Sequence, residues 1–165
     1  LSKIFGELLM LIEKDYRGQA AMLPYSGRSF TVPKNLYIIG MMNTADRSLA
    51  MIDYALRRRF SFVDMEPGFD TKGFKEYLSS KGNTTMGALV EKVEELNEDI
   101  KQTLGKGFCI GHSYFVFDEP CSDTLLRSIV KYDILPMLAE YWFDDEEQYE
   151  TWASRLNGVF NNGSK

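Results

Sequence analysis

Asn43, at the end of the apolar run in YIIGMMNTADRSLAMIDYALRRRF (residues 37–60), is the first side chain in this sequence placed where chemistry is done. A carboxamide donates and accepts at once, so it can orient a water against a terminal phosphate without itself titrating. The same residue type also suits a cap on the turn that follows. Asp46 and Arg47 stand beside it as a charge pair able to hold that turn. Arg57, Arg58 and Arg59 then close a helical stretch, where cations oppose the negative end of the macrodipole. Successive helical residues lie ~100° apart, so three arginines in a row cannot share a face and at least one projects sideways. Guanidinium is the group suited to two-pronged contact with phosphate. These types and spacings admit phosphate chemistry, with an amide placing water and an arginine meeting developing charge; solvated capping charges are the other reading.

Such groups need a frame. Leu36 to Met42 is a near-continuous apolar run of strand length, the pattern of a strand inside a parallel sheet covered on both faces. Ligands of open α/β sheets bind beyond the carboxyl ends of the strands, which aims Asn43 at a site. Ser48 to Arg58 has helical spacing through Leu49, Ile52 and Leu56, and FSFVDM reads as a second buried strand ending near Met65. That order of elements belongs to a parallel α/β sheet, although two strands are too few to make one.

Upstream, Ile4, Phe5, Leu8, Leu9, Leu11 and Ile12 recur at helical spacing behind Ser2 as N-cap. Gly18, Pro24, Gly27 and Pro33 then punctuate short extended pieces, and YSGR suits the turn of a small hairpin. Past EPGFD the pattern is helical throughout: Thr71 to Leu78, Thr85 to Leu104, Leu125 to Phe143 with Pro136 expected to kink or divide it, and Gln148 to Phe160. The NNGSK tail has no core residues and is expected to fray. The expected class is α/β followed by all-α, the second part a small helical bundle.

Composition narrows the function. Lys and Arg number 19 against 24 Asp and Glu, a net charge of −5, so no overall basic field neutralises phosphates along a nucleic acid. Cys109 and Cys121 lack metal-ligand spacing and His112 is the only histidine, so no metal site is expected and both cysteines read as reduced core thiols. No run reaches the ~18 apolar residues of a membrane span and no signal peptide precedes the first helix, which makes a cytoplasmic protein the default. The acidic run Asp144 to Glu147 behind Tyr141, Trp142 and Phe143 reads as a solvated loop beside an aromatic anchor. The chain opens within a helical pattern and without an initiator methionine, as a piece of a longer protein would.

GMMNTADRSLAMIDYALRRRF, the following SFVDMEPGFDT and the later LGKGFCIGHSYF together resemble the McrB family, the GTP-hydrolysing AAA+ subunits of modification-dependent restriction systems, over nearly the whole chain. The resemblance implies an α/β AAA+ piece over residues 1–67 and a helical AAA+ lid over 68–165. It implies that Asn43 is the sensor-1 residue, supported by Asp46 and Arg47. Arg59 is implied as the arginine finger acting on the neighbouring subunit, with Arg58 as the other candidate. It places His112 and Ser113 in a lid loop where they either face the nucleotide or order the loop.

It implies further that the intact protein uses GTP and Mg²⁺, assembles with itself into a ring, a hexamer by expectation, works with an McrC-type nuclease subunit, and reads DNA bearing modified cytosine through a separate N-terminal domain. The departures matter as much. No G-x-x-x-x-G-K-[ST] phosphate loop and no acidic Walker B pair occurs, so no cofactor is expected tightly bound to this chain and hydrolysis is not expected of it alone. An AAA+ ATPase of the chaperone-like remodelling kind, and a non-catalytic AAA+-like interaction module, are the competing readings. Nucleotide preference separates the first, and the retained Asn43 and arginines speak against the second.

Overall fold

The computed structural model describes residues 8–42 and 57–161. The chain divides into two compact units, Leu1–Asp64 and Met65–Lys165. Among the described residues it is mostly helical, with one small two-stranded sheet.

In the first unit a helical turn over 8–11 runs into a 3-10 turn, Lys14–Tyr16. Strands β1 (Ala20–Met22) and β2 (Ser29–Thr31) follow, paired antiparallel with Ala21 opposite Phe30. Their connection is the hairpin expected at YSGR. The Leu23 amide donates to the Arg28 carbonyl at 2.9 Å, and Gly27 takes a φ of +59°, which a side-chain-bearing residue rarely adopts. The parallel strands expected at Leu36 to Met42 and from Phe60 to Met65 are not formed: these residues carry no regular secondary structure, and Tyr37, Ile39 and Met41 are each about nine-tenths exposed. A central parallel strand exists only through hydrogen bonds to neighbours at both edges, and among the described residues none pairs with these segments. The N-cap expected at Ser2, and the helix expected from Ser48 up to Arg57, fall outside the described residues except at Arg57 and Arg58.

The second unit is a helical bundle: α1 (Lys72–Lys81), α2 (Thr84–Thr103), α3 (Asp123–Ile129), α4 (Leu135–Tyr141) and α5 (Glu146–Gly158). Short polar residues start four of them. Thr71, Asn83, Ser122 and Asp145 each accept, through the side chain, the otherwise orphaned amide three residues on. Gly82 and Gly105, both at positive φ, let the chain leave α1 and α2. The apolar stripe of α2, from Met86 through Leu89, Val93 and Leu96 to Ile100, is wholly buried. Helices α3 and α5 cover it, contributing Leu126, Trp152 and Leu156.

Pro136 divides the third helical stretch as expected, and the manner is specific. Residues Val130–Ile134 form a π-helical turn in which the Leu135 amide reaches the Val130 carbonyl five residues back, and Pro136 then sits in the first turn of α4. Proline supplies no amide to the preceding turn, and the wider turn resets the register ahead of it. Trp142 is the buried aromatic anchor, Phe143 is 84% exposed, and Asp145 from the acidic run caps α5.

Candidate functional site

Two places carry the residues singled out for chemistry. The first is the arginine run that ends the first unit. Arg57 and Arg58 are exposed; Arg59 is turned inward, its side chain 17% exposed and its Nη2 at 2.5 Å from Glu13 Oε1. Arg59 also lines a cavity of about 250 Å³ with Ile12, Arg17, Ile38, Phe60 and Ser61. Arg17 on the same wall donates to three carbonyls: Nε to Ile12 at 2.9 Å, Nη1 to Leu36 at 2.8 Å and to Pro33 at 3.4 Å. The cavity is smaller than the ~300–1,000 Å³ of ordinary ligand pockets, and its guanidiniums face a carboxylate and carbonyls. It is therefore a junction holding three segments of the unit together. Asn43, Asp46 and Arg47 lie outside the described residues.

The second place is the connection from Gly105 to Ser122, which contains the GKGFCIGHSYF block and only two short 3-10 turns, Lys106–Phe108 and His112–Phe115. Connections of this length within a compact domain are uncommon and usually serve a function. Here side chains hold it. Asn97, the only buried polar residue among those described, accepts the Ile110 amide at 2.7 Å and donates to the Ile110 carbonyl at 3.0 Å. Its carboxamide thus satisfies both backbone groups of one residue, as a neighbouring strand would. The Tyr77 hydroxyl does the same for Phe117, accepting from the amide at 2.9 Å and donating to the carbonyl at 2.8 Å. Lys81 adds bonds to the carbonyls of Phe117 and Glu119.

His112 acts in the same way. Its Nδ1 accepts the Gly68 amide at 2.9 Å, which in the neutral ring leaves the proton on Nε2. Its ring stands edge-on to Phe69 and Phe74. Gly68 packs closely there: a Cβ at that position would come to 3.1 Å from the imidazole, so the ring would have to shift to admit one. His112 thus joins the loop to the start of the bundle, and Ser113 is exposed beside it. Lys106, in the same loop, pairs with Glu66 at 2.8 Å, and its hydrogen bond and charge hold the Glu66 carboxyl below the usual range. Burial pushes the thiols of Cys109 and Cys121 up, which favours their protonated form. No cluster of three or more His, Cys, Asp or Glu side chains suited to a metal occurs among the described residues.

Sequence reasoning missed Glu13, Arg17, Tyr77 and Asn97. Only Asn97 left a signal, a polar residue four after Val93 and three before Ile100 on an otherwise apolar stripe.

Residues 88–150 match the model of the McrB alpha-helical lid domain. The chain is 51% identical over 172 aligned residues to the type IV methyl-directed restriction enzyme EcoKMcrB subunit of Escherichia coli strain K12. That alignment takes in 96% of this chain and 38% of the relative, so the chain spans well under half of the curated relative's length.

Proposed function

We propose, from the premise that this chain belongs to the McrB family, that it is part of a GTP-hydrolysing, DNA-translocating motor subunit of a modification-dependent restriction endonuclease. The observation that carries this reading is the 51% identity that runs through 96% of the chain, well beyond the lid itself. In this proposal the first unit is the end of the AAA+ α/β subdomain and the second unit is the lid.

Asn43 orients the attacking water and the terminal phosphate, with Asp46 and Arg47 supporting it. An arginine from the 57–59 run, Arg59 or Arg58, stabilises charge on the phosphate held by the adjacent subunit of a ring, hexameric by expectation. The exposed guanidinium of Arg58 fits such a phosphate contact. No carboxylate set among the described residues fits Mg²⁺, and the sequence has no phosphate loop, so those parts are assigned to the remainder of the protein. GTP and Mg²⁺, when bound, would supply the scissile phosphoryl group and most of its charge neutralisation, and this chain's residues would place water and complete the charge field. For the same reason the 165-residue chain alone is expected to hydrolyse neither GTP nor ATP.

The lid reading gives the pinned loop a use. An arm held at Gly68, Asn97 and Tyr77 keeps His112 and Ser113 in one place, whether they face the nucleotide or only order the loop. An McrC-type nuclease subunit, and DNA with modified cytosine bound through a separate N-terminal domain, complete the proposed assembly in the cytoplasm. The test is turnover by the purified full-length protein. GTP hydrolysis that exceeds ATP hydrolysis and rises on adding the cognate nuclease subunit supports the proposal. ATP preference without such stimulation would favour a remodelling ATPase.

A further inference from the structure

We infer that the GKGFCIGHSYF loop is a clamp on the chain where it enters the bundle, with His112 as its positioning residue. By accepting from the Gly68 amide, His112 makes residues 66–69 part of the bundle, so that the bundle turns only about bonds ahead of Glu66. The part this plays in turnover rests on the proposal above that the bundle is the lid of a nucleotide-hydrolysing motor.

The ties converge on a short stretch. Val63 and Met65 are 83% and 92% exposed, whereas Phe69, a few residues on, is buried. Between them the loop holds the chain twice, on either side of Pro67: Lys106 pairs with Glu66 at 2.8 Å, and His112 Nδ1 accepts the Gly68 amide at 2.9 Å. The Gly68 carbonyl accepts from the Thr71 hydroxyl at 2.7 Å and the Thr71 amide at 3.2 Å, so both backbone groups of Gly68 are satisfied inside the bundle. Phe69 then packs edge-on against Phe74, with ring centres 5.4 Å apart, and lies 6.2 Å from Phe115 of the loop itself.

The two loop ties are unequal. Glu66 and Lys106 are both exposed, and an exposed ion pair contributes little. The bond from Gly68 to His112 is partly buried, and losing its acceptor would leave a covered amide unpaired. A clamp also needs a firm jaw. His112 lies between Ile110 and Phe117, each of which is held through its amide and its carbonyl, by Asn97 and Tyr77.

The ring nitrogens separate this role from contact with a substrate. The clamp uses Nδ1 as an acceptor, whereas a contact with a phosphate or base acceptor would use the proton on Nε2. Releasing residues 66–69 would lengthen the free connection as far as Thr71, the N-cap of α1. Each residue set free adds conformational entropy that lid closure must remove, and a loosened hinge changes kcat and KM together.

The experiment uses the full-length protein carrying His112→Asn, His112→Gln or Gly68→Ala. The Asn carbonyl oxygen takes the place of Nδ1 and keeps the acceptor; the Gln side chain puts an N–H near the place of Nε2 and loses the acceptor. Gly68→Ala puts a Cβ 3.1 Å from the imidazole and displaces the ring while retaining it, so it decides the matter if His112→Gln does not fold. Amide exchange in peptides spanning 66–71 is followed by mass spectrometry, with α2 as the control for the fold, alongside kcat and KM for GTP. His112→Asn is expected to stay within ~3-fold of the native protein in all of these, while His112→Gln and Gly68→Ala speed exchange at 66–71 by about 10-fold, leave α2 unchanged and lower kcat/KM.

Turnover kept by His112→Gln and lost by His112→Asn would put Nε2 on a substrate and overturn the clamp. Equal exchange at 66–71 in those two variants would overturn it as well. Faster exchange with kcat and KM unchanged would overturn its part in turnover. A native protein that hydrolyses no GTP sinks the function proposed above, and the exchange data alone then decide the clamp.

Discussion

The two units of the chain treat their apolar residues in opposite ways. In residues 65–165, Met86, Leu89, Val93, Leu96, Ile100 and Leu156 are 0% exposed, and the helices that cover them belong to the same unit. In the described part of residues 1–64 the buried apolar side chains are Leu9, Leu11 and Val32, while Tyr37, Ile39, Met41 and Val63 are 83–95% exposed. The difference lies in what each element needs. A helix satisfies its own backbone and only has to bury one stripe, which other helices of the same bundle can cover. A central strand must have both backbone edges paired and both faces covered. The bundle covers its own apolar stripe, whereas these apolar side chains of the first unit stay exposed.

The largest expected effect breaks the chain at this contrast. Expressed alone, residues 65–165 should fold and unfold cooperatively in urea when followed by far-UV circular dichroism. Residues 1–64 alone should show no cooperative transition and should bind a hydrophobic dye. A cooperative first unit, or a molten second one, would undo the comparison.

The second prediction tests why the loop of the bundle stays ordered without regular structure. Asn97→Ala strands the amide and carbonyl of buried Ile110 and should cost about 2–4 kcal/mol in the stability of residues 65–165. Urea midpoints of the two proteins measure it, and a loss below ~1 kcal/mol would show that the doublet contributes no more than an ordinary hydrogen bond.

The smallest effect is electrostatic. Burial raises the Glu94 carboxyl above its ordinary value, and Asp70 adds to the rise. A raised folded-state value means the folded protein holds that proton more tightly, so stability is lost as pH rises through the shifted range. Glu94→Gln should therefore gain no more than a few tenths of a kcal/mol at neutral pH, after allowance for solvent screening, and the gain should vanish below about pH 4. Paired melts at pH 7 and pH 3.5 check the sign.

The bundle was legible because its signals are local. The 3-to-4 spacing of Leu89, Val93, Leu96 and Ile100 suffices for α2, and the turn residues of YSGR for the hairpin. Pro136 announced a break, though the π-turn ahead of it was not readable, since it depends on how the preceding carbonyls find partners. The strands expected around Leu36 to Met42 and Phe60 to Met65 had the right composition, but a strand is a relation between segments, and composition does not supply the other segment. The pins on the loop were hidden for a similar reason. Tyr77 and Phe117 are 40 residues apart, as are Glu66 and Lys106, and nothing near either residue marks the pairing. Arg59 was visible as a charge and not as half of a pair with Glu13, a contact that closes over most of the first unit.

The central claim, that the first unit contributes water-positioning and charge-stabilising groups to nucleotide hydrolysis, is tested most directly at Asn43. In the full-length protein, Asn43→Ala should leave GTP affinity within a few-fold of the native value, because an amide that places water acts mainly in the transition state. Single-turnover hydrolysis should slow by about 10²–10³, the ~3–4 kcal/mol of one preorganised donor. Unchanged hydrolysis would contradict the account and return Asn43 to capping a turn.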